Sequence, residues 1–525
     1  MAKRVGGEDI ISELPLHIIH HILCRTNLDL KDAAISCMLS KRWYHCWTSR
    51  PNLIFNQLQG DKLMPLENYV KLVDQSLRSH IEKKLHLEQF ILAYCDPEVD
   101  SHLDTWIELA VKLNVTELGV HLPFLTSYRL PDVIYDAKYL KSLSLSRCKI
   151  EFDISTTRIR FCCLEALSLC HVHISDAQLQ RVINRCPSIR ILSLEYCESI
   201  SKCHIFGLVH LQYLTTTFCK LHSVIVQSPY LRCFRYKEYA GRENILPCEI
   251  AILDGYNTLQ TLELVGGSIT GQQFQDIFCK FPNISELELE SCYKLNHIEI
   301  QSEKLKKFTL LLGLNTLEKL TIQAPNLLDF DFRGTKIPFS YMNMDTSSLE
   351  RARFHFFMPA THFGSVDSSW YTSLHHFVQK FNNSNDFMLI ISCRQTKSIL
   401  IYENPREIVI PPTHAVEIFF ASMMRVESII GMLMYKSPNI ISIIACTDGK
   451  ALQVMSTLKG CIQKENCGKE CPFKTKWHRY LKEVISCRGT SEEGMAASTW
   501  YLWLKSTSLI DQVNNFVLKW KDDEA

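Results

Sequence analysis

The sequence predicts an α/β chain: a short helical module followed by a long, irregular solenoid whose strands build one concave parallel sheet. Three observations carry that prediction. Apolar residues in the first fifty or so positions recur at helical spacing. Aliphatic residues from about Val115 onward recur in one phase. Proline precedes several of the expected strands at a fixed offset.

The helical module is read from Asp9 to Asn56 as three short helices. Glu13-Leu14-Pro15 opens the first, because a proline in an opening turn forfeits no helical hydrogen bond. Ile18, Ile19, Ile22 and Leu23 then form an apolar stripe. Asn27 and Asp29 break it, and Asp29 is placed to cap a second helix carrying Ala33, Ala34 and Ile35. Ser40 is placed to cap a third, with Trp43 and Trp47 four residues apart on one face before Pro51 stops it. Some forty residues bury too little surface to be stable alone, yet these carry two tryptophans and at least five large aliphatics. Such a module completes its core against a partner or against the rest of this chain; the pattern alone leaves both open.

The residues resemble a known family. Leu14-Pro15-x-x-Ile18, Ile22-Leu23, Asp32-Ala33, Leu39-Ser40-Lys41-Arg42-Trp43 and Trp47-Thr48-Ser49-Arg50-Pro51-Asn52-Leu53 follow the order of the F-box in plant F-box/leucine-rich-repeat proteins. The resemblance implies docking on a Skp-type adaptor and, through it, on a cullin. It places Leu14, Pro15, Ile18, Ile22 and Leu23 toward the adaptor, with Leu39, Trp43 and Trp47 as further candidates that the family partly uses as internal core.

The repeats follow the template L-x-x-L-x-L-x-x-N/C-x-L, in which the aliphatics point inward from a short strand and the Asn or Cys fills the bend. Leu140, Leu143, Leu145, Cys148 and Ile150 match it in full. Units start at 115, 140, 164, 189, 211, 231, 259, 284, 305, 327 and 349, so the steps run from 20 to 28 residues. Chance does not hold one phase through eleven units, and the spacing is that of leucine-rich repeats. Pro187, Pro229, Pro282 and Pro325 each stand two residues before a strand's first aliphatic, where they end the preceding segment. Helices fit Ser175 to Arg185 and Gly271 to Lys280; other repeats are too short for one. Leu66 to Ser79, with Tyr69, Val70, Val73 and Leu77 at helical spacing, is read as the helix that couples module to array.

These elements divide the chain into an F-box at 9–56, a helical linker and first cap at 57–110, a repeat array at 111–356, and a divergent C-terminal region at 357–525. In the last, Ser437-Pro438-Asn439-Ile440 repeats the proline device. Cys471 to Val484, with Trp477 before Leu481-Lys482-Glu483-Val484, resembles the FBD-like segment of plant F-box proteins. Trp500, Tyr501, Trp503, Leu504, Val513, Phe516 and Val517 are expected to form helices that cap the open end, and His375 to Phe381 a short helix.

Composition bounds the chemistry. With 46% hydrophobic and 22% charged residues over 525 positions, the chain is an ordinary folded protein in composition. A formal charge of +1 gives no reason to expect a nucleic-acid or membrane partner. The most apolar late stretch, Ser428 to Cys446, is interrupted by Lys436, Pro438 and Asn439 and does not read as a membrane span. No secretory signal is visible at Met1 to Asp9. A cytoplasmic or nuclear location is expected, with the 22 cysteines reduced and mostly in the core.

No cofactor is expected. Cys461, Cys467, Cys471, His478 and Cys487 lack a paired C-x2-C and do not fit the usual zinc knuckles. The sequence holds no phosphate loop, no H-E-x-x-H and no G-x-S-x-G. It therefore reads as a non-catalytic receptor that captures a protein target, itself not identifiable, and orients it toward a partner's chemistry. A binding protein with no part in ubiquitination is the alternative. A small-molecule receptor would need basic residues, such as Lys141, Arg190, Arg232 and Lys306, gathered on the concave face. Phe354-His355-Phe356-Phe357 and Trp370-Tyr371 are read as core ahead of contact residues.

Overall fold

The computed structural model describes residues 14–23, 35–36, 38, 40–59, 62–93, 99–123, 128–238, 248–254, 258–266, 269–292, 294–312, 317–334, 342–344, 348–358 and 377, and five strands beyond them. The chain divides into two units, 1–259 and 260–525.

The first unit opens with α1 (Leu16–Leu23) and α2 (Lys41–Thr48). Ser40 caps α2 as expected, its side chain accepting from the Trp43 amide at 3.3 Å. Much of the expected second helix lies outside the described residues. After α2 only Ser49, Arg50 and Pro51 intervene before strand β1 (Asn52–Asn56), followed by α3 (Leu66–Glu82), β2 (Gln89–Ala93) and α4 (Asp100–Lys112). Then come β3 (Glu117–His121), β4 (Ser142–Ser146), β5 (Ala166–Cys170), α5 (Asp176–Arg185), β6 (Ile191–Glu195), β7 (Tyr213–Thr217) and β8 (Cys233–Lys237). All eight strands pair in parallel, each with the next in sequence, in unbroken register from Asn52↔Gln89 to Thr217↔Lys237.

The segment 57–110 holds the expected helices and also strand β2, while β1 closes the segment 9–56, so the sheet starts about sixty residues before Val115. Phenylalanines stand where the template wants leucine: Phe55 and Phe90 are fully buried and meet edge to face, their centroids 6.2 Å apart. A leucine template therefore fits neither strand in full.

One alternation explains the sheet. Second and fourth residues of each strand turn inward, so Leu143, Leu145, Leu167, Leu169, Leu192 and Leu194 are each at most 3% exposed. Each such side chain contributes about 1.5–3 kcal/mol by leaving water. Residues one, three and five look out on the open face. Directly after the fifth, the chain turns through a left-handed residue: Arg147, His171, Tyr196 and Phe218 have φ between 52° and 60°. None is glycine, so each turn costs about 1–2 kcal/mol. In return each amide donates to the following strand, as Tyr196 does to the Thr217 carbonyl at 2.8 Å. The cysteine of the template follows. Cys197 donates its thiol to the Leu169 carbonyl at 3.5 Å and Cys219 to that of Leu194 at 3.4 Å, tying each bend to the repeat before it.

Repeat length decides what covers the far side of the core. Helix α5 carries a full capping box between Ser175 and Gln178. Shorter repeats replace the helix with a strand, and 202–205, 223–227 and 249–254 form a second parallel sheet of three strands.

The second unit repeats the scheme. Strands β9 (Thr261–Val265), β10 (Glu286–Glu290), β11 (Lys307–Leu311), β12 (Asp329–Gly334) and β13 (Arg351–Met358) pair in parallel, with α6 (Gly271–Lys280) capped by Thr270 and Gln273. Its core is rich in phenylalanine. Phe354 and Phe356, 1% and 0% exposed, pack on Phe330, Phe332 and Phe377, which identifies them as core. Parallel pairing continues through β14 (Asp386–Cys393), β15 (Ala415–Phe420) and β16 (Ile440–Ile444), the strand expected after Pro438. Leu481-Lys482-Glu483-Val484 opens β17 (Leu481–Arg488).

The end of the chain departs from expectation. Residues 514–520 form β18 (Asn514–Trp520), antiparallel to both β16 and β17, where a capping helix was expected over Val513, Phe516 and Val517. Phe516, Leu518 and Trp520 alternate at strand period, and two waiting edges outweigh the weaker helical spacing. Residues 500–504 and 370–371 lie outside the described residues. Of the segment 375–381 only Phe377 is described. No described helix is long and apolar enough to cross a membrane.

Between module and array the joint is tight. His80, 1% exposed on α3, sets Nε2 2.8 Å from the Arg50 carbonyl and Nδ1 2.8 Å from that of Ser76. Arg50 lays its guanidinium 3.6 Å over the Trp47 ring and donates to the Trp47 carbonyl. Tyr69 donates to the Phe55 carbonyl, and Lys83 Nζ to Thr48 Oγ1 at 3.2 Å. The expected coupling helix thus holds the end of the module directly.

Three outcomes follow. Leu194→Ala lowers stability by about 2–5 kcal/mol in urea unfolding, while Ser193→Ala, its outward neighbour, stays within about 0.5 kcal/mol; equal effects would contradict the alternation. Replacing His80 by Leu strands the Arg50 carbonyl at a cost of about 1–3 kcal/mol, and amide hydrogen exchange over 50–56 speeds up accordingly. Burial pushes the thiols of Cys148, Cys186 and Cys203 up to about 12, which leaves almost no thiolate at pH 8. Alkylation of the native protein at that pH, followed by mass spectrometry, then marks exposed Cys162 and Cys279 well before these three.

Candidate functional site

Helices α1 and α2 enclose a very small core: Ile19, Leu23, Trp43 and Cys46 are buried, and Leu14, Ile22 and Trp47 pack partly against them. The residues expected to face a partner therefore fall into groups. Leu23 and Trp43, 5% and 3% exposed, are internal and hold the two helices together. Leu14, Ile22 and Trp47 are half-buried at the margin. Pro15 and Ile18 face outward, and Leu39 lies outside the described residues.

Beside them stand exposed apolar side chains, of which Leu16, Met38 and Tyr44 go unmarked in the sequence reading. Leu16 is 50% exposed, Ile35 53%, Met38 86% and Tyr44 61%, together with Ile18 at 37%. A module of this size has no inner space for them. The sequence signal was present in Leu16 next to Pro15 and Tyr44 next to Trp43, but helical spacing drew attention to the stripe that fills the core. On α2, Lys41, Tyr44, His45 and Thr48 share one face at three- and four-residue spacing.

The open face of the first unit presents the other surface. Its third-position side chains are Ile54, Ile91, Gly119, Ser144, Ser168, Ser193, Thr215 and Arg235 in strand order. Bulk at both ends flanks five small residues, four of them hydroxyl-bearing. A Cβ on Gly119 would come within 3.1 Å of His121 Nε2 and 3.2 Å of Ile91, so a larger residue here requires those two side chains to give way by a few tenths of an ångström. Along one margin the left-handed residues stack: His171 lies 4.5 Å from Tyr196 with rings nearly parallel, and Tyr196 5.0 Å from Phe218. Along the other, Ile191 and Tyr213 are 45% and 42% exposed. The face is chemically mixed, a floor of hydroxyls between a ring-bearing margin and one of exposed Ile191 and Tyr213.

Lys141, Arg190 and Arg232 do not gather into a pocket. They immediately precede β4, β6 and β8, alternate strands roughly 10 Å apart, with Glu165 and Gln212 at the matching positions between them. Glu165 pairs with Arg190 at 3.9 Å. Lys306 belongs to the second unit. In that unit Asp329 takes Arg351 and Arg353, each at 3.1 Å, and burial pushes Asp331 up to about 6 although Arg353 beside it opposes the shift.

Among the described residues no three His, Cys, Asp or Glu side chains gather to hold a metal ion. Cys461, Cys467, Cys471 and His478 lie outside them, and Cys487 falls in β17.

Comparison with known proteins matches each part separately. Residues 11–55 match the F-box domain, 103–253 the LRR repeats of FBD-associated F-box protein At5g56370, and 247–364 the LRR domain of At1g61320/AtMIF1. F-box/LRR-repeat protein 25 of Arabidopsis thaliana is 30% identical over 198 residues, 37% of this chain and 70% of that protein. F-box protein At5g03100 of the same plant is 27% identical over 241 residues, 46% of this chain and 73% of its own length. Putative F-box/LRR-repeat protein At3g18150, also from Arabidopsis thaliana, is 25% identical over 361 residues, 67% of this chain and 68% of its own. The helical pair, the parallel repeat sheet and these likenesses converge, and the chain belongs to the plant F-box/LRR-repeat proteins.

Proposed function

We propose that this chain is a substrate receptor of a Skp-cullin-F-box ubiquitin ligase: the helical module docks on a Skp-type adaptor, and the open face of the array holds a protein target. F-box/LRR proteins serve in general as non-catalytic substrate adaptors of such ligases, and this chain has the domain pair that the role requires.

The observation that carries the reading is the excess of exposed apolar surface on the module. Leu16, Ile18, Ile35, Met38 and Tyr44 crowd into 29 residues around a four-residue core. So many exposed large apolar side chains in so short a stretch favour a binding role, because covering each one contributes up to about 1.5–3 kcal/mol. Pro15, Leu16 and Ile18 supply the outward contact, Leu14, Ile22 and Trp47 its margin, and Leu23 and Trp43 the support beneath. Chemistry stays with the partner enzymes; this chain contributes the fixed placement of a target lysine.

The test is capture of a purified Skp-type adaptor by the full chain. Leu16→Asp combined with Ile18→Asp is expected to weaken capture by at least about 30-fold, with circular dichroism and the urea midpoint of the array unchanged. Undiminished capture would sink the reading. A target that stays bound yet is never ubiquitinated by the reconstituted complex would identify a binding protein instead.

A further inference from the structure

The turn that leads into strand β5 carries two cysteines side by side, Cys162 and Cys163. Both are free thiols; Cys162 is exposed and Cys163 half-buried. The turn lies inside the continuous described stretch 128–238. It is fixed on both sides. The Cys162 thiol donates to the Lys138 carbonyl of the preceding repeat at 3.4 Å, and the Ser188 hydroxyl of the next repeat donates to the Cys162 carbonyl at 3.3 Å. The two thiols also meet each other. Partial burial pushes the Cys163 thiol up, and a hydrogen bond with the Cys162 thiol adds to that shift. A third thiol, Cys186, stands near Cys162 but is fully buried and out of reach from solvent.

What such a pair can bind follows from its geometry. Neighbouring Cα atoms across a trans peptide lie about 3.8 Å apart, short of the roughly 4.4–6.8 Å that a disulfide favours. Direct closure to a disulfide would strain the turn, whereas a soft atom placed between the sulfurs removes that demand. Structural zinc wants four protein ligands, and among the described residues no three His, Cys, Asp or Glu side chains gather to hold a metal ion. A trivalent arsenic that already carries one organic group needs only two sulfurs to complete its bonds. Thiolates, as soft ligands, favour such a soft centre.

We propose that Cys162 and Cys163 form a chelating site for monosubstituted trivalent arsenicals. With phenylarsine oxide, two As–S bonds form, the arsenic–oxygen bond breaks, and both thiol protons leave with the oxygen as water. Arsenic stays trivalent, so neither oxidant nor reductant takes part. The first bond forms at exposed Cys162, whose thiol gives up the Lys138 carbonyl. The second closes within the turn, at an effective concentration that a monothiol in solution does not match. Exposed Cys279 on α6 has no cysteine beside it in sequence and serves as the comparison. The site goes beyond the receptor role and does not depend on it.

The experiment treats the reduced full chain with excess phenylarsine oxide, washes it with millimolar glutathione or with dimercaptopropanol, and then labels it briefly with N-ethylmaleimide. Trypsin releases 161–181, which holds Cys162, Cys163 and Cys170, for mass spectrometry. After the glutathione wash, labelling of Cys162 and Cys163 is expected to stay at least about tenfold below that of untreated protein, and the dithiol wash to restore it. Cys279, held through a single sulfur, should change less than about twofold after either wash. In Cys163→Ser, glutathione alone should restore the labelling of Cys162, with circular dichroism confirming that the variant keeps its fold. Full labelling of Cys162 after the glutathione wash of the wild-type chain would overturn the proposal. So would protection of Cys162 that survives in Cys163→Ser. Either result leaves the receptor role standing.

Discussion

Every strand of this array satisfies its backbone only through its neighbours, and that single constraint organises the rest. A five-residue parallel strand has no partner within its own repeat, so no repeat is stable by itself and each must match the next in register. The register holds without a slip from β1 to β8, because a one-residue shift would turn every buried leucine outward. The left-handed turns at Arg147, His171, Tyr196 and Phe218, and the thiols of Cys197 and Cys219 at two of those bends, serve the same end. They satisfy donors and carbonyls that the bend would otherwise leave bare. With the inward positions committed, the outward ones are free to vary, and there the hydroxyl-lined floor from Ser144 to Thr215 can be tuned to a target.

The same constraint explains how the module is attached. β1 starts three residues after α2 and is the first strand of the sheet, so the F-box runs straight into the array. Arg50 is the hinge point of this arrangement and is fixed on several sides: its carbonyl by His80, its guanidinium by Trp47. In the proposed receptor role that stiffness would matter, since a floppy joint would smear a captured lysine over many positions relative to the ubiquitin donor.

Much of this was legible in the sequence, and the failures share physical causes. The phase of the leucines fixes the inward positions, and Ser40, Ser175 and Gly271 mark helix starts that the structure places at or next to those residues. Strands β1 and β2 escaped because Asn52-Leu53-Ile54-Phe55-Asn56 is short and apolar and serves either secondary structure equally in isolation; only pairing with β2 decides. The strand at 514–520 was lost to a helical spacing that two open edges overrode. In the module, periodicity finds the stripe that fills a core. It is silent about residues such as Leu16, Met38 and Tyr44, whose importance lies in having no core to enter. The hold of Lys83 on Thr48 was equally invisible, since the two meet only once the chain has folded back.

The left-handed residues have one further consequence. Glycine would make those turns without strain, yet Arg147, His171, Tyr196 and Phe218 stand there, and three of them carry rings in contact with one another across neighbouring repeats. Each repeat thus gives up local ease to grip the next through its side chain as well as its backbone. Lateral coupling of that kind lengthens the stretch over which the array melts as one. These repeats should come apart like a seam under shared tension, several together, where independent units would fray one at a time.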